Sequence, residues 1–142
     1  MATQAARAAA PALSWDEARR LVQAVEDVFG RADLAAIAEG FTEDAVARFA
    51  DFPEMRGRAA IMAFLTQRFA RTRGYQLKKT LRCLMGTVLG NEWHATWEDA
   101  QTGKRMRGRG LEFWHVRDGR IAVWDATFNV WEDGGPPATP VV

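Results

Sequence analysis

The stretch GLEFWHVRDGRIAVWDATFN, residues 110–129, decides how the chain is read. Two runs of alternating apolar and polar residues flank Asp118-Gly119. An Asp-Gly pair between such runs is a strong signal for a two-residue hairpin turn. Counting outward from a tight turn, Arg117 faces Arg120, Val116 faces Ile121, Trp114 faces Val123 and Glu112 faces Asp125. Two carboxylates would then lie side by side on one sheet face. Like charges directly opposite destabilise a sheet, so the pairing demands a reason.

Further turn signals at Gly90-Asn91 and Thr102-Gly103 divide the chain from Tyr75 onward into four strands of a meander. Pairing through Thr102-Gly103 sets Trp97 beside Gly108, Ala95 beside Gly110 and Trp93 beside Glu112. One face then carries Glu112, Asp125, Trp93, Trp97, Trp114, Thr127 and Asn129. The other carries His94, His115, Arg107, Arg109, Phe113, Trp124 and Phe128. A one-residue slip at any turn would exchange these sets.

Upstream the period is helical. Ser14 and Glu17 form a capping box, and Trp15, Ala18, Leu21, Val22, Val25, Val28 and Phe29 recur on one face until Gly30. DLAAIAE, with Asp33 as cap, predicts a second short helix, and Arg58 to about Arg71 a third. AVARF is a candidate strand, and DFPEMRGR reads as an irregular loop because Pro53 and Gly57 break it. Three helices followed by a curved antiparallel sheet make an α+β fold, with the helices on one sheet face and a conical cavity between.

A chain of 142 residues fits one domain. The expected boundaries are a flexible tail over 1–13, the domain over 14–132 and a Gly/Pro-rich tail over 133–142. The opening MATQAARAAAPAL lacks the continuous apolar stretch of a secretory signal; a short transit peptide is the alternative. A net charge of +1 gives no field that argues for nucleic acid or an anionic membrane, and no apolar run approaches a spanning helix. The single cysteine, Cys83, excludes an internal disulfide and suits a cytoplasmic location.

Indole walls, small glycines and a few converging polar groups describe a small-molecule pocket. A Glu and an Asp in contact there cannot both ionise cheaply, so one keeps its proton and can donate it to a developing oxyanion. Two other readings stand beside this one: an arginine, Arg48 or Arg82, neutralises the pair, or the register differs and the acids are solvated. His94 and His115 lack the short spacing of a metal site. Arg105, Arg107 and Arg109 read as a solvated or subunit-contact stripe with Glu98 as partner, Cys83 as a core thiol, and Lys78-Lys79 as an exposed strand start.

The helical start, FTEDAV, MRGRAAIMAFL and FWHVRDGRIAVWDATFN together resemble the nuclear-transport-factor-2-like (NTF2-like) superfamily over about residues 14–132, closest to its SnoaL-like group, which is related to polyketide cyclases and ketosteroid isomerases. The resemblance implies a cone of three helices on a curved sheet. It places Glu112 where ketosteroid isomerases hold an oxyanion-binding acid, and FADFPEM offers Asp51 near their general base. Their first-helix tyrosine has no counterpart, since the only tyrosine is Tyr75. Asn129 stands where epoxide hydrolases of the superfamily carry a water-activating Asp.

The expectation is therefore a protein that binds a small apolar ligand, either as an acid–base enzyme on a carbonyl compound or as a non-catalytic binding module. Asp51, Glu112 and Asp125 are its candidate catalytic residues, and Trp93, Trp97, Trp114, Asn129 and Arg48 its candidate ligand contacts. No cofactor or metal is required. A homodimer is expected through the outer sheet face, with Phe113, Trp124 and Phe128.

Overall fold

The computed structural model describes residues 10–139. Most of the expected N-terminal tail and the last three residues of the C-terminal one lie outside them. Helix α1 spans Trp15–Gly30. At its start the Ser14 hydroxyl accepts from the Glu17 N–H at 3.2 Å, and the Glu17 carboxylate accepts from the Ser14 N–H at 2.7 Å. That capping box satisfies two backbone donors that the first turn would leave unpaired. Helix α2, Leu34–Glu39, is capped by Asp33, whose carboxylate accepts from the Ala36 N–H at 3.1 Å. Helix α3 spans Arg58–Ala70.

The strands are β1 (Phe41–Phe49), β2 (Met55–Arg56), β3 (Thr72–Met85), β4 (Val88–Asp99), β5 (Arg105–Arg117) and β6 (Arg120–Glu132). They form one sheet in the order β2-β1-β6-β5-β4-β3, antiparallel except for the β1–β6 pair. The expected strand AVARF is the second half of β1. The expected irregular loop returns one short strand, pairing Ala47 with Met55. Helix α1 packs over β3 and α3 over β1, so the three helices close the concave face as expected. Ala18, Val22, Val25, Phe29, Ile37, Ile61 and Leu65 bury their side chains between the layers.

The last hairpin holds the main correction. Asp118 and Gly119 take φ of 51° and 72°, the tight turn with both central residues left-handed. Arg117 faces Arg120 and Val116 faces Ile121, as the sequence predicts. Ala122 is then an extra residue, and His115 pairs with Val123. This β-bulge turns every later residue of β6 to the opposite face. Glu112 consequently lies beside Ala126, Phe113 beside Asp125 and Trp114 beside Trp124. Glu112 and Asp125 do not share a face, and Trp124 and Phe128 point inward instead of outward.

The other two turns also differ, with milder consequences. The β4–β5 connection runs over 100–104, held by Asp99, whose carboxylate accepts from the N–H groups of Gln101 at 2.8 Å and Thr102 at 3.1 Å. The register moves by two, to Ala95–Gly108, Trp93–Gly110 and Asn91–Glu112. An even shift preserves faces, so Trp93, Trp97, Trp114 and Glu112 all point inward as expected. The first turn lies at Gly86-Thr87, where Gly86 supplies the positive φ of 63°, and Gly90-Asn91 is strand interior.

Candidate active site

Gly108 and Gly110 do not leave open space for a ligand; they seat the Trp93 indole. A Cβ on Gly110 would lie 2.4 Å from Trp93 Nε1, and one on Gly108 would lie 2.9 Å from its Cζ3. The indole lies over β5 and becomes one wall of the cone. At the open end is a cavity of about 810 Å3, lined chiefly by Phe52, Phe64, Arg68, Trp97, Met106 and Phe128. Phe64, Arg68 and Phe128 also border a crevice of about 40 Å3, which reaches Tyr75, Lys79, Trp93, Glu112 and Trp124.

Two charged groups meet at the crevice floor. The side chains of Lys79, on β3, and Glu112, on β5, are only 4% and 1% exposed. Lys79 Nζ donates to Glu112 Oε1, and its contact with Asn91 Oδ1 is 3.4 Å. Trp124 Nε1 donates to Glu112 Oε2 at 2.7 Å. The ammonium also sits 5.1 Å from the centroid of the Trp114 ring, within cation–π range. Desolvation by burial pushes Lys79 below the usual lysine range, against the opposing pull of the Glu112 charge. A buried ion pair offsets its desolvation cost only with further hydrogen bonds, and Trp124 at Glu112 and the longer Asn91 contact at Lys79 contribute to that here.

Nearer the mouth, the Arg68 guanidinium lies 5.8 Å from the Trp97 ring centroid. Burial pushes the Tyr75 hydroxyl upward, and the nearby positive charge of Arg68 opposes this. Arg71 donates to Asp99 at 2.8 Å on the cavity wall, so that pair is internally neutral. Arg68 makes no ion pair among the described residues. The charges along the path are thus two self-compensating pairs plus one arginine, a net positive environment for an incoming oxygen.

The residues singled out from the sequence fall in different places. Glu112, Trp93 and Trp97 reach the concave side; Trp114 is buried in the core beneath it and lines neither space. Asp125 is on the outer side of β6, 3.7 Å from Arg48, which also binds Glu54 at 2.7 Å. Arg48 therefore meets Asp125 and Glu54 but not Glu112, so it does not neutralise the expected acid pair, and it does not border the cavity. Asp51 is exposed in the loop after β1, next to the cavity-lining Phe52. Asn129 faces outward and donates to the Thr139 hydroxyl at 2.7 Å.

Other expectations divide similarly. His94 and His115 are on the outer face as expected. Among the described residues no group of three His, Cys, Asp or Glu could hold a metal ion, and no helix is long and apolar enough to cross a membrane. Arg107 and Arg109 pair with Asp133 and Glu92, whereas Glu98 pairs with Arg73. Cys83 is exposed, not a core thiol, because the bulge between Leu81 and Cys83 turns it outward. Arg82 binds Glu92 on the same outer side. Lys78 is exposed, but Lys79 is not. The legible signal for Lys79 was the alternation Tyr75, Leu77, Lys79, Leu81, which puts the lysine in an inward row.

A SnoaL-like domain model matches residues 19–124. The chain belongs to the SnoaL-like family. Comparison with curated proteins returned no match. Among solved structures, a "putative polyketide cyclase" from Xanthomonas campestris pv. campestris is 30% identical, covering 80% of this chain and 91% of that one with a TM-score of 0.70. A "putative isomerase" from Bacillus subtilis aligns at 19% identity over 81% and 88%, TM-score 0.73. An LEH-like epoxide hydrolase of M. tuberculosis aligns at 20% over 80% and 84%, TM-score 0.64. The last two show the shared NTF2-like cone. Structures that share this fold thus carry names from several reaction classes, and the site of each must be argued separately.

Proposed function

We propose that this SnoaL-like protein binds an apolar, carbonyl-bearing small molecule in its cone and exchanges protons with it at the Lys79–Glu112 pair. The observation that carries the reading is a carboxylate and an ammonium, both almost wholly buried, at the floor of an apolar crevice that borders a ligand-sized cavity. Electrostatic groups fixed in a dry site stabilise developing charge far better than the same groups in water. Glu112 would take the proton α to the carbonyl, held for that task by Trp124 at its other oxygen. Lys79 would supply positive charge to the enolate oxygen, and Arg68 would guide the electron-rich end inward. Asp51 and Asp125, apart from this cluster, have no direct part in the scheme.

A second reading keeps binding and omits chemistry. The pair is engaged with itself, Trp124 and Asn91, and the crevice above it is narrow, which suits a structural strut beneath a ligand pocket. Deuterium exchange of apolar ketones in heavy water, followed by NMR, separates the two. Acid–base catalysis predicts exchange above the buffer rate and a loss of roughly 100-fold or more in Glu112→Gln. Exchange at the buffer rate in the wild type would overturn catalysis and leave binding.

Self-association also belongs to this reading. Leu111 and Phe113 stay 47% and 52% exposed on the outer face of β5, where a second copy would cover them. Sedimentation of a monomer at micromolar concentration would contradict a homodimer.

A further inference from the structure

We infer that Lys79 is a covalent amine catalyst: it forms an imine with the carbonyl carbon of an aldehyde or ketone that enters the crevice. The inference rests on the reading that this site takes carbonyl compounds, and it adds how they are activated. Three observations carry it. Lys79, almost wholly buried, lines the crevice together with Trp93, Trp124, Tyr75 and Leu77, so a carbonyl that reaches its Nζ does so in largely apolar surroundings. Glu112 contacts that same nitrogen, as a group that shuttles its protons must. Trp124 holds the other carboxyl oxygen, fixing the shuttle in place.

The pair contains everything the condensation needs. Desolvation disfavours two opposite full charges, so the proton can pass from the ammonium to the carboxylate, leaving an amine beside a carboxylic acid. The nitrogen lone pair forms a bond to the carbonyl carbon, and the carbonyl π pair moves to oxygen, which takes the Glu112 proton. The carboxylate then removes a proton from the nitrogen to give a neutral carbinolamine. Glu112 returns that proton to the hydroxyl, which leaves as water while the nitrogen lone pair closes the C=N bond. The products are an iminium, a Glu112 carboxylate and one water, with no net change of charge and no oxidant or reductant consumed. The iminium lies beside Glu112 as its counter-ion, and it acidifies the neighbouring C–H more strongly than a hydrogen-bonded carbonyl does. Activation of a lysine by desolvation in an apolar pocket is the general route to such an amine.

The chain is well suited to the test, because it has three lysines, Lys78, Lys79 and Lys104, and the other two side chains are 69% and 55% exposed. The protein is incubated at neutral pH with cyclohexanone or butanal, reduced with sodium borohydride, and mapped by peptide mass spectrometry. Exposed lysines are almost wholly protonated at that pH, so the reduced alkyl group should appear on Lys79 about tenfold or more above Lys78 and Lys104. Lys79→Arg, which keeps the positive charge but cannot form the imine, should lose that label and keep the background on the other two. Glu112→Gln should slow labelling of Lys79. Labelling spread equally over the three lysines, or none at Lys79 with either probe, would overturn the inference. Ketone proton exchange is measured in parallel: exchange without a Lys79 adduct removes the imine and leaves acid–base chemistry, whereas loss of both removes the two together.

Discussion

Trp124 Nε1 donates to Glu112 Oε2 across the β5–β6 pair, 2.7 Å away, because Ala122 is bulged out of β6. Without the bulge Trp124 would face away and Asp125 would take its place beside Glu112. The site therefore owes its composition to one extra residue. Trp124→Phe keeps the ring among Phe29, Phe41 and Phe49 but removes the donor. Hydrogen bonds to charged groups contribute about 1.5–3 kcal/mol, and urea unfolding should show a loss of that order.

The buried pair makes a sharper prediction. Lys79→Met leaves Glu112 without its cation, and Glu112→Leu leaves Lys79 without its anion. Breaking a buried pair from one side costs about 3–5 kcal/mol, while replacing both partners with apolar groups is often close to neutral. A double-mutant cycle should find each single variant strongly destabilised and the double variant restored to most of the wild-type stability. Additive losses would show that the two side chains do not act as a pair.

Asp99 carries a pH dependence. Burial raises its carboxyl, but the Gln101 N–H, the Arg71 guanidinium and the Thr102 N–H together outweigh that and hold it below the ordinary aspartate value. A folded-state value lower than the unfolded one stabilises the protein above the unfolded value, and the effect is lost as pH falls through the folded one. The stability difference between wild type and Asp99→Asn should be full near neutrality and close progressively below about pH 4. Denaturant melts across that range check it; a constant difference would contradict the assignment.

Gly110→Ala tests the wall. The added methyl meets Trp93 Nε1 and Cε2 and the Phe128 Cβ, which is backbone-proximal and cannot swing aside. Overpacking of this kind costs about 1–3 kcal/mol. The displaced indole should also weaken ligand-induced quenching of tryptophan fluorescence, whereas Gly30→Ala, at the end of α1 where an added methyl meets nothing within 4 Å, should leave the quenching unchanged.

Much of the fold was legible because its signals are local. The capping box at Ser14, the cap at Asp33 and the Asp118-Gly119 turn each depend on a few adjacent residues, and each forms as read. The inward set on β4 and β5 also survived, because the misjudged β4–β5 turn moved the register by an even number. The β6 face did not survive, since nothing in GRIAVWD marks Ala122 as a bulge: the preference comes from packing Trp124 against Phe49 and Phe41, a tertiary effect. Lys79 was misread for a related reason. Beside Lys78 it looks like a solvated pair; the alternation Tyr75, Leu77, Lys79, Leu81 gives its inward face, and the partner that makes burial tolerable is on β5, 33 residues later.

On the proposed function, a ligand's carbonyl group meets the Lys79–Glu112 pair. A crystal structure of the protein soaked with cyclohexanone reads out that contact. The expected result is a carbonyl oxygen within about 3 Å of Lys79 Nζ or the Glu112 carboxyl group, or continuous density from Nζ to the ligand carbon. A ligand resting in the wide cavity with its carbonyl turned to the mouth, above an untouched pair, would contradict it.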